Sequence, residues 1–589
     1  MCDYRIKYGD PKTNETKTYK CPHPKLNIKG EDGKHYCIFH SRDPKKELDQ
    51  FKKEFGMLFE SGKHEFVGFI FPEGFRFQEL KKEEDRLIFI DANFTLAEFY
   101  CEAAFFNAQF SGEEGTYFSG AKFSGEGGTS FFRAQFSGEG GTYFNSAQFS
   151  GDGGTSFRLA KFSGEGETNF SRTQFSAEGV TNFSGAKFSG ERGTDFTVAQ
   201  FSSKRGTNFS EAQFSGKGET DFFFAQFSGA GLTSFNGAQF SSKGKTSFFM
   251  TQFSGGGGTK FKRAQFSSKG GTDFRHAQFS GEGGAYFTEA QFSGEGKIEF
   301  RGKTFAGNDP VEFRYVGVEK PENLTFNNVD LNRVRFLGTD LRNINFHEIY
   351  WTNREYGSIR HIKPCMVYDD TFQCGIFQNT LRWIINKFEN SKSRIEKWIV
   401  RKLKKLKNNK ENIHYDVFRL YTQLRMNYEA TGRYHEAGDF FIGEMEMRRK
   451  GSFESPIIRF ILTFYKLFSY YGERPFRAFL FLISVPLVFS MFYLLTGGLE
   501  VAESLTNTIY TINYDLAFHF PFFTCEFWKH YTDALMYALK VMAMGKTDCE
   551  VMATGKPIFY LSALQIVLSL MFLSLFLLAM NRKFRRMKD

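Results

Sequence analysis

Ala108-Gln-Phe-Ser-Gly-Glu-Glu-Gly-Thr-Tyr-Phe-Ser-Gly120 is followed directly by Ala121-Lys-Phe-Ser-Gly-Glu-Gly-Gly-Thr-Ser-Phe-Phe-Arg133. The pattern returns every 13 residues as far as Ala290-Gln-Phe292. One set of phenylalanines (Phe110, Phe123, Phe136) is followed eight residues later by a second (Phe118, Phe131, Phe144), continuing to Phe287 and Phe300. The intervals therefore alternate eight and five. A small residue, usually Ala or Thr, stands two places before the phenylalanine of the five-residue half, and the other half contains Ser-Gly-Glu-Gly-Gly or a relative. Pure five-residue steps flank the block, at Phe89, Phe94 and Phe99 and again at Leu331, Phe336, Leu341 and Phe346. Between them, Phe305, Phe313, Val318 and Phe326 keep the mixed rhythm. The unit is thus a pentad, and the 13-mer is two pentads plus three inserted residues.

So short a unit cannot bury its own apolar face, so coils must stack. Two 13-mers make one coil and send four residues inward, for example Phe118, Phe123, Phe131 and Phe136. About eleven coils are expected, roughly 50 Å of rod at the β spacing. The glycine-rich triplets are expected to bulge at alternate corners, where positive φ is needed. Over Phe89 to Trp351 the chain resembles the pentapeptide-repeat family. That resemblance implies a right-handed quadrilateral β-helix with one pentad per side. Some members of the family mimic DNA, which requires an acidic surface. Residues 110–300 instead carry 18 Lys plus Arg against 18 Asp plus Glu. No nucleic-acid partner is expected; a scaffold is, with an unidentified cytoplasmic protein or ligand as the partner class at the repeat.

The 589 residues contain 77 Phe and 58 Gly, carry a net charge of +10, and include eight cysteines, too few for a disulfide scaffold. Residues 1–50 are polar, with no cleavable signal peptide, which places the N-terminal part in the cytoplasm. Cys2, Cys21, Cys37 and His40 offer three thiols and an imidazole, either a tetrahedral zinc site or unlinked cysteines in a capping element. The expected domains are a cap at 1–65, the β-helix at 66–375, a cytoplasmic helical linker at 376–455 and a membrane domain at 456–589. Within the linker, 376–411 reads as a basic amphipathic helix, lying either on an anionic bilayer or against the end of the rod. Tyr415 to Lys450 reads as two helices joined at Thr431-Gly-Arg-Tyr434.

Two late segments, Ala478 to Leu495 (interrupted by Pro486) and Ile558 to Met580, have the length needed for a bilayer core of ~30 Å. Gln565 is the one strongly polar side chain of the second. Lys466, Arg474 and Arg477 precede the first; Arg582, Lys583, Arg585, Arg586 and Lys588 follow the second. The positive-inside bias puts both sets, and both termini, in the cytoplasm of a cell whose inner or plasma membrane holds the protein. The spans are placed at 476–497 and 556–580, after an interfacial helix at 456–471 and around an external loop at 498–528. Cys525 and Cys549 lie on that external side and either pair or remain free.

From Tyr531 onward a short helical stretch runs into Ala543-Met-Gly-Lys-Thr-Asp548. This layout, pore helix and filter at 529–550 between two spans, resembles the pore module of two-helix potassium channels, whose filter reads Thr-Val-Gly-Tyr-Gly-Asp. The resemblance implies a re-entrant loop, a homotetramer in a lipid bilayer, and a filter at Ala543, Met544, Gly545, Lys546, Thr547 and Asp548, with Glu550 beside it. Gly545 and Asp548 keep the pattern. Lys546 and Thr547 do not, and Thr547 poorly tolerates the backbone conformation of the glycine it replaces. A cation channel without standard potassium selectivity is the leading expectation; the permeant cation is unidentified. The alternative is a non-conducting, membrane-anchored scaffold that recruits a partner through the rod. The sequence contains no phosphate loop on a strand-to-helix turn, no nucleophile with a nearby base and no paired carboxylates, so it does not read as an enzyme.

Overall fold

Phenylalanines of the five-residue half close short strands, such as Lys122–Phe123, which pairs in parallel with the strand a full coil later. Phe123 faces Phe149, Phe136 faces Phe162 and Thr129 faces Thr155. The strands assemble into four parallel sheets of 10, 10, 10 and 9 strands, the four sides of a β-solenoid of about ten turns. That is one turn fewer than the count from the pentads. After Phe346 the chain leaves the ladder: Trp351 packs on Phe336 and Phe346, and Thr352–Asn353 pairs antiparallel with Cys365–Met366. The number of inserted triplets sets coil length. Phe274 faces Phe300, a full coil on, but Val311 faces Val334 and Phe326 faces Phe346, coils that lack one and then both triplets.

The structure, a computed structural model, describes residues 1–10, 13, 15–26, 29–43, 46–80, 86–353, 365–373, 413–503, 508–512, 525–544 and 551–586. The chain divides into two compact units, Met1–Gly375 and Ile376–Asp589.

The solenoid interior is built of phenylalanine ladders. Phe118 stacks on Phe144 at 4.8 Å and Phe144 on Phe170 at 4.9 Å, with rings parallel to within 3°. Full face-to-face stacking opposes like quadrupoles; the contacts between ladders offset this, since Phe131 meets Phe144 edge-on at 5.4 Å and 84°. The small residue two places earlier is fully buried too, as at Ala134, Ala160 and Ala186. Where it is Thr, its buried hydroxyl finds an acceptor: Thr173 donates to the Phe144 carbonyl at 2.7 Å.

The corners differ from the expectation in one respect. The most regular left-handed residue lies at the corner without the inserted triplet. It recurs every 13 residues and is seldom glycine: Arg133, Leu159, Val198, Phe224 and Met250 have φ between +56° and +59° or close to it at Phe224 (+55°). There the N–H of Ala134 donates to the Phe131 carbonyl, closing a four-residue turn with a left-handed third residue. At the triplet corner crowding favours glycine in many coils, although Ala177, Ser203, Ser242 and Ser268 stand at the first-glycine position in others. A Cβ at Gly151 would lie 2.2 Å from the Gly125 carbonyl oxygen one coil below.

Both ends are closed. Helix α1 (Leu48–Glu60) lays Phe51 and Phe55, one turn apart, over Phe66, Phe71 and Phe75 at the first coil. At the other end, Asp369 in the short 3₁₀ segment Tyr368–Gln373 accepts from the Phe336 N–H at 2.9 Å. Burial pushes the Asp369 carboxyl up to about 6 despite that bond and nearby Arg335.

The second unit is helical. Helix α2 (413–430) turns at Gly432, with φ of +79°, into α3 (Tyr434–Lys450). The pair is tied by Arg425 to Glu444 at 2.8 Å. Helix α4 (Pro456–Ser469) starts at Ser455, whose hydroxyl accepts from the Ile458 N–H. Its exposed stripe, Ile457, Phe460, Ile461, Phe464 and Leu467, follows helical spacing. Helices α5 (Pro475–Thr496), α6 (Cys525–Met542) and α7 (Lys556–Arg586) complete the unit. The region read as a plain external loop also contains strands: Leu499–Glu503 pairs antiparallel with Thr508–Ile512 on one side and Val551–Ala553 on the other.

Candidate functional site

Two places bring chemically distinctive side chains together. The first is the N-terminal cluster. A hairpin of Arg5–Gly9 and Thr16–Lys20 pairs Arg5 with Lys20, so Cys2 and Cys21, just outside its two ends, arrive side by side. Cys37 and His40 are three residues apart in one turn, closed by the His40 N–H on the Cys37 carbonyl. All four residues are buried, and their ligand atoms lie within 4.8 Å of one another. For a tetrahedral ion with metal–sulfur bonds of about 2.3 Å, ligand atoms should stand about 3.5–3.8 Å apart. Here Cys21 Sγ to Cys37 Sγ is 3.6 Å, Cys37 Sγ to His40 Nδ1 is 3.2 Å and Cys2 Sγ to His40 Nδ1 is 3.9 Å. The set has the size and shape to hold a metal ion.

The surroundings favour that use. His40 Nε2 lies 2.9 Å from the Val67 carbonyl, the contact of an N–H donor, which leaves the Nδ1 lone pair facing the sulfurs. Tyr4 stacks on the imidazole at 3.8 Å. Hydrogen bonds with Cys21 and then Cys37 pull the Cys2 thiol down, while the contacts with Cys2 and then Cys21, together with burial, push Cys37 up. The trio thus favours one thiolate by itself, and a cation would be needed to favour all three. Lys46 fastens the cluster loop to the first coil, donating to the Ser41 carbonyl at 3.0 Å and the Ile70 carbonyl at 2.6 Å. A cavity of about 660 Å³, lined by Tyr4, His40, Arg42, Gly68 and Glu98 among others, lies beside the cluster.

The second place is the packing of α5, α6 and α7. Helices α5 and α7 are long and apolar enough to cross a bilayer. Helix α6 packs on both. Their common core is made by Leu482, Val485, Phe489, Tyr537, Val541 and Phe572. Outward faces remain apolar and uncovered: Phe476 is 69% exposed, Phe559 69% and Val567 63%. Gln565, fully buried, joins all three helices. Its Nε2 donates to the Ala538 carbonyl of α6 at 2.7 Å, and its Oε1 accepts from the Tyr493 hydroxyl of α5 at 2.6 Å. Ser562 adds a contact to the Tyr537 hydroxyl at 3.2 Å. Such a polar stitch in an apolar core fixes register, because slipping one helix strands its partners.

Helix α6 ends at Met542 and continues into a turn at Ala543 and Met544, both exposed, with Met544 left-handed at φ +56°. Gly545, Lys546, Thr547, Asp548 and Glu550 lie outside the described residues, as do Cys549 and the basic segment 376–411. No protein-family model, no curated protein and no solved structure matches this chain.

The sequence brought Cys2, Cys21, Cys37 and His40 forward as one set, and the fold places them together. It noted Gln565 only as an oddity in an apolar run. Its position seven residues into the apolar stretch, with Tyr493 at the far end of the other, was the available signal. The role of Lys46 had none, since its three acceptors are backbone carbonyls.

Proposed function

We propose that the chain is one subunit of a cation channel. Helices α5 and α7 span the membrane, α6 and the residues after it form a re-entrant pore loop, and four copies surround one conduction path. The observation that carries this reading is α6 packed on both apolar helices and pinned by Gln565. The carboxyl end of that helix carries a partial negative charge, which in this reading favours cations over anions near the pore. The exposed apolar faces of α5 and α7 support a lipid environment, and α4 supports an interfacial lead-in. The basic flanks of the spans support a topology with both termini in the cytoplasm. The solenoid, read as the right-handed type of the pentapeptide-repeat family, then serves as a cytoplasmic scaffold or control element.

Purified protein in planar bilayers is expected to give unitary cation currents. Silence across voltages and ions would favour the non-conducting scaffold. Replacing Lys546→Tyr together with Thr547→Gly is expected to move the reversal potential toward that of potassium.

For the N-terminal cluster the proposed ion is zinc. Three thiolates and an imidazole in a closed, buried tetrahedron suit a borderline-soft ion with no geometric demands of its own. Metal analysis should find one zinc per chain, lost in Cys37→Ser, with proteolysis then opening residues 1–43.

A further inference from the structure

The C-terminal end of α7 meets the α2–α3 hairpin at a set of charges that neither the metal cluster nor the proposed pore uses. Glu446, on α3, is 1% exposed. One carboxylate oxygen accepts from Lys466 of α4 at 2.7 Å and from the Tyr471 hydroxyl at 2.9 Å; the other accepts from Arg449 at 2.9 Å. Burial alone would raise this carboxyl, but hydrogen bonds from Lys466 and Arg449 outweigh it and hold it down at about 2. Arg582 of α7 donates to the carbonyl of the same Tyr471 at 2.8 Å, and its guanidinium lies 4.1 Å over the ring of Phe441 of α3. Tyr471 thus binds α3 through its side chain and α7 through its backbone.

The backbone at that point is unusual. Tyr470, Tyr471 and Gly472 are consecutively left-handed, with φ of +52°, +59° and +78°. Only the third is a glycine. Residues with a Cβ occupy this region at a cost, and a pair of them persists only where surrounding contacts over-determine it. Those contacts come from three directions: Glu446, Arg582, and the Arg474 guanidinium 4.8 Å over the Tyr470 ring. A buried charge cluster is a poor source of stability compared with apolar packing, and its better-attested use is to select one geometry. A strained junction between α4 and α5, held by a charge on α3 and a charge on α7, has the makings of a two-state element.

We propose that Glu446, Tyr471 and Arg582 form a coupling joint through which the α2–α3 hairpin and the C-terminal end of α7 bias one another's conformation, with the left-handed junction at 470–472 as the part that switches. Coupling through a shared element is reciprocal. Releasing Arg582 should loosen α3, and releasing Glu446 should loosen the end of α7. Only the consequence for conductance rests on the channel reading; the coupling itself does not.

The test is hydrogen exchange of the full-length protein in proteoliposomes, read by mass spectrometry. Arg582→Ala is expected to speed exchange about tenfold or more in peptides covering 440–449 and 470–475. Glu446→Gln is expected to do the same for 578–586, at the other side of the joint. Tyr471→Phe, a milder change that removes only the hydroxyl, should give a smaller effect on both sides, and exposed Lys583→Ala should give none. Acceleration confined to the helix that carries each substitution, or an equal response to Lys583→Ala, overturns the joint. In bilayers, Tyr471→Phe is expected to change the open fraction with the reversal potential fixed. Silent bilayers with reciprocal exchange would reject the channel and retain the joint; unaltered gating with purely local exchange would do the reverse.

Discussion

The interiors of the two units are specified in opposite ways. In the solenoid, the same contact is made many times: Phe157 on Phe183 at 4.8 Å and Phe183 on Phe209 at 4.7 Å differ little from their neighbours along the rod. No single ring sets the register, because every coil repeats it. In the α5–α7 core, register rests on single contacts such as Gln565 to Ala538. Repetition gives tolerance of local variation, shown by Thr173 and Thr251 in alanine positions with their hydroxyls bonded to carbonyls. Single polar contacts give uniqueness, and their loss has no neighbour to mask it.

The largest expected effect tests the first half of that contrast. Phe183→Ala removes a fully buried ring from the middle of a ladder and should destabilise the solenoid by about 3–5 kcal/mol in urea unfolding. Because coils contact only their neighbours, the transition should also broaden or split. A loss below about 1 kcal/mol would mean the ladder repacks and the redundancy is even greater. Next comes the end of the rod, where repetition stops and one carboxyl is used instead. Asp369 has its folded pKa raised, to about 6, so the folded state holds the proton more tightly than the unfolded chain. Stability from this group is therefore greatest at low pH and falls as pH rises from about 4 through 6, by up to about 3 kcal/mol. Asp369→Asn should flatten that dependence; an unchanged pH profile would remove Asp369 as its source.

Gln565→Leu leaves the Ala538 carbonyl without its side-chain donor and takes the acceptor from the Tyr493 hydroxyl. It should cost about 1–3 kcal/mol in detergent unfolding. Combined with Tyr493→Phe, the loss should be less than additive; simple additivity would show that the stitch is not one network. The smallest effect lies at the corners. Val198 is a β-branched residue at φ +59°, and Asn tolerates that conformation better. Val198→Asn should stabilise the solenoid by a few tenths to about 1 kcal/mol, read as a higher urea midpoint.

The same contrast governs what the sequence disclosed. Coils, inward phenylalanines and buried alanines were legible because their spacing recurs, and a 26-residue register follows from two 13-mers without further information. The left-handed corner was hidden because Leu159, Val198 and Phe224 are not residues that announce a turn; stacking imposes the conformation on them. Cys2, Cys21, Cys37 and His40 were legible through ligand chemistry, although only the hairpin explains how Cys21 reaches Cys2. The strands at 499–503 and 508–512 were missed because the first of them is the centre of a sheet completed by Val551–Ala553, far along the chain. Glu446, Tyr471 and Arg582 span 137 positions and read singly as helix surface, so nothing local marked them as partners.

The pairing of strands 26 residues apart through the 13-residue repeat has a consequence for how such a rod changes length. A single 13-mer is half a coil, so gaining or losing one would carry every later residue half a turn around the axis. The chain would then leave the last coil on the opposite side. Two 13-mers restore the phase and change only the length. Copy number in this rod therefore has parity: even changes lengthen it, and odd changes also turn its exit around.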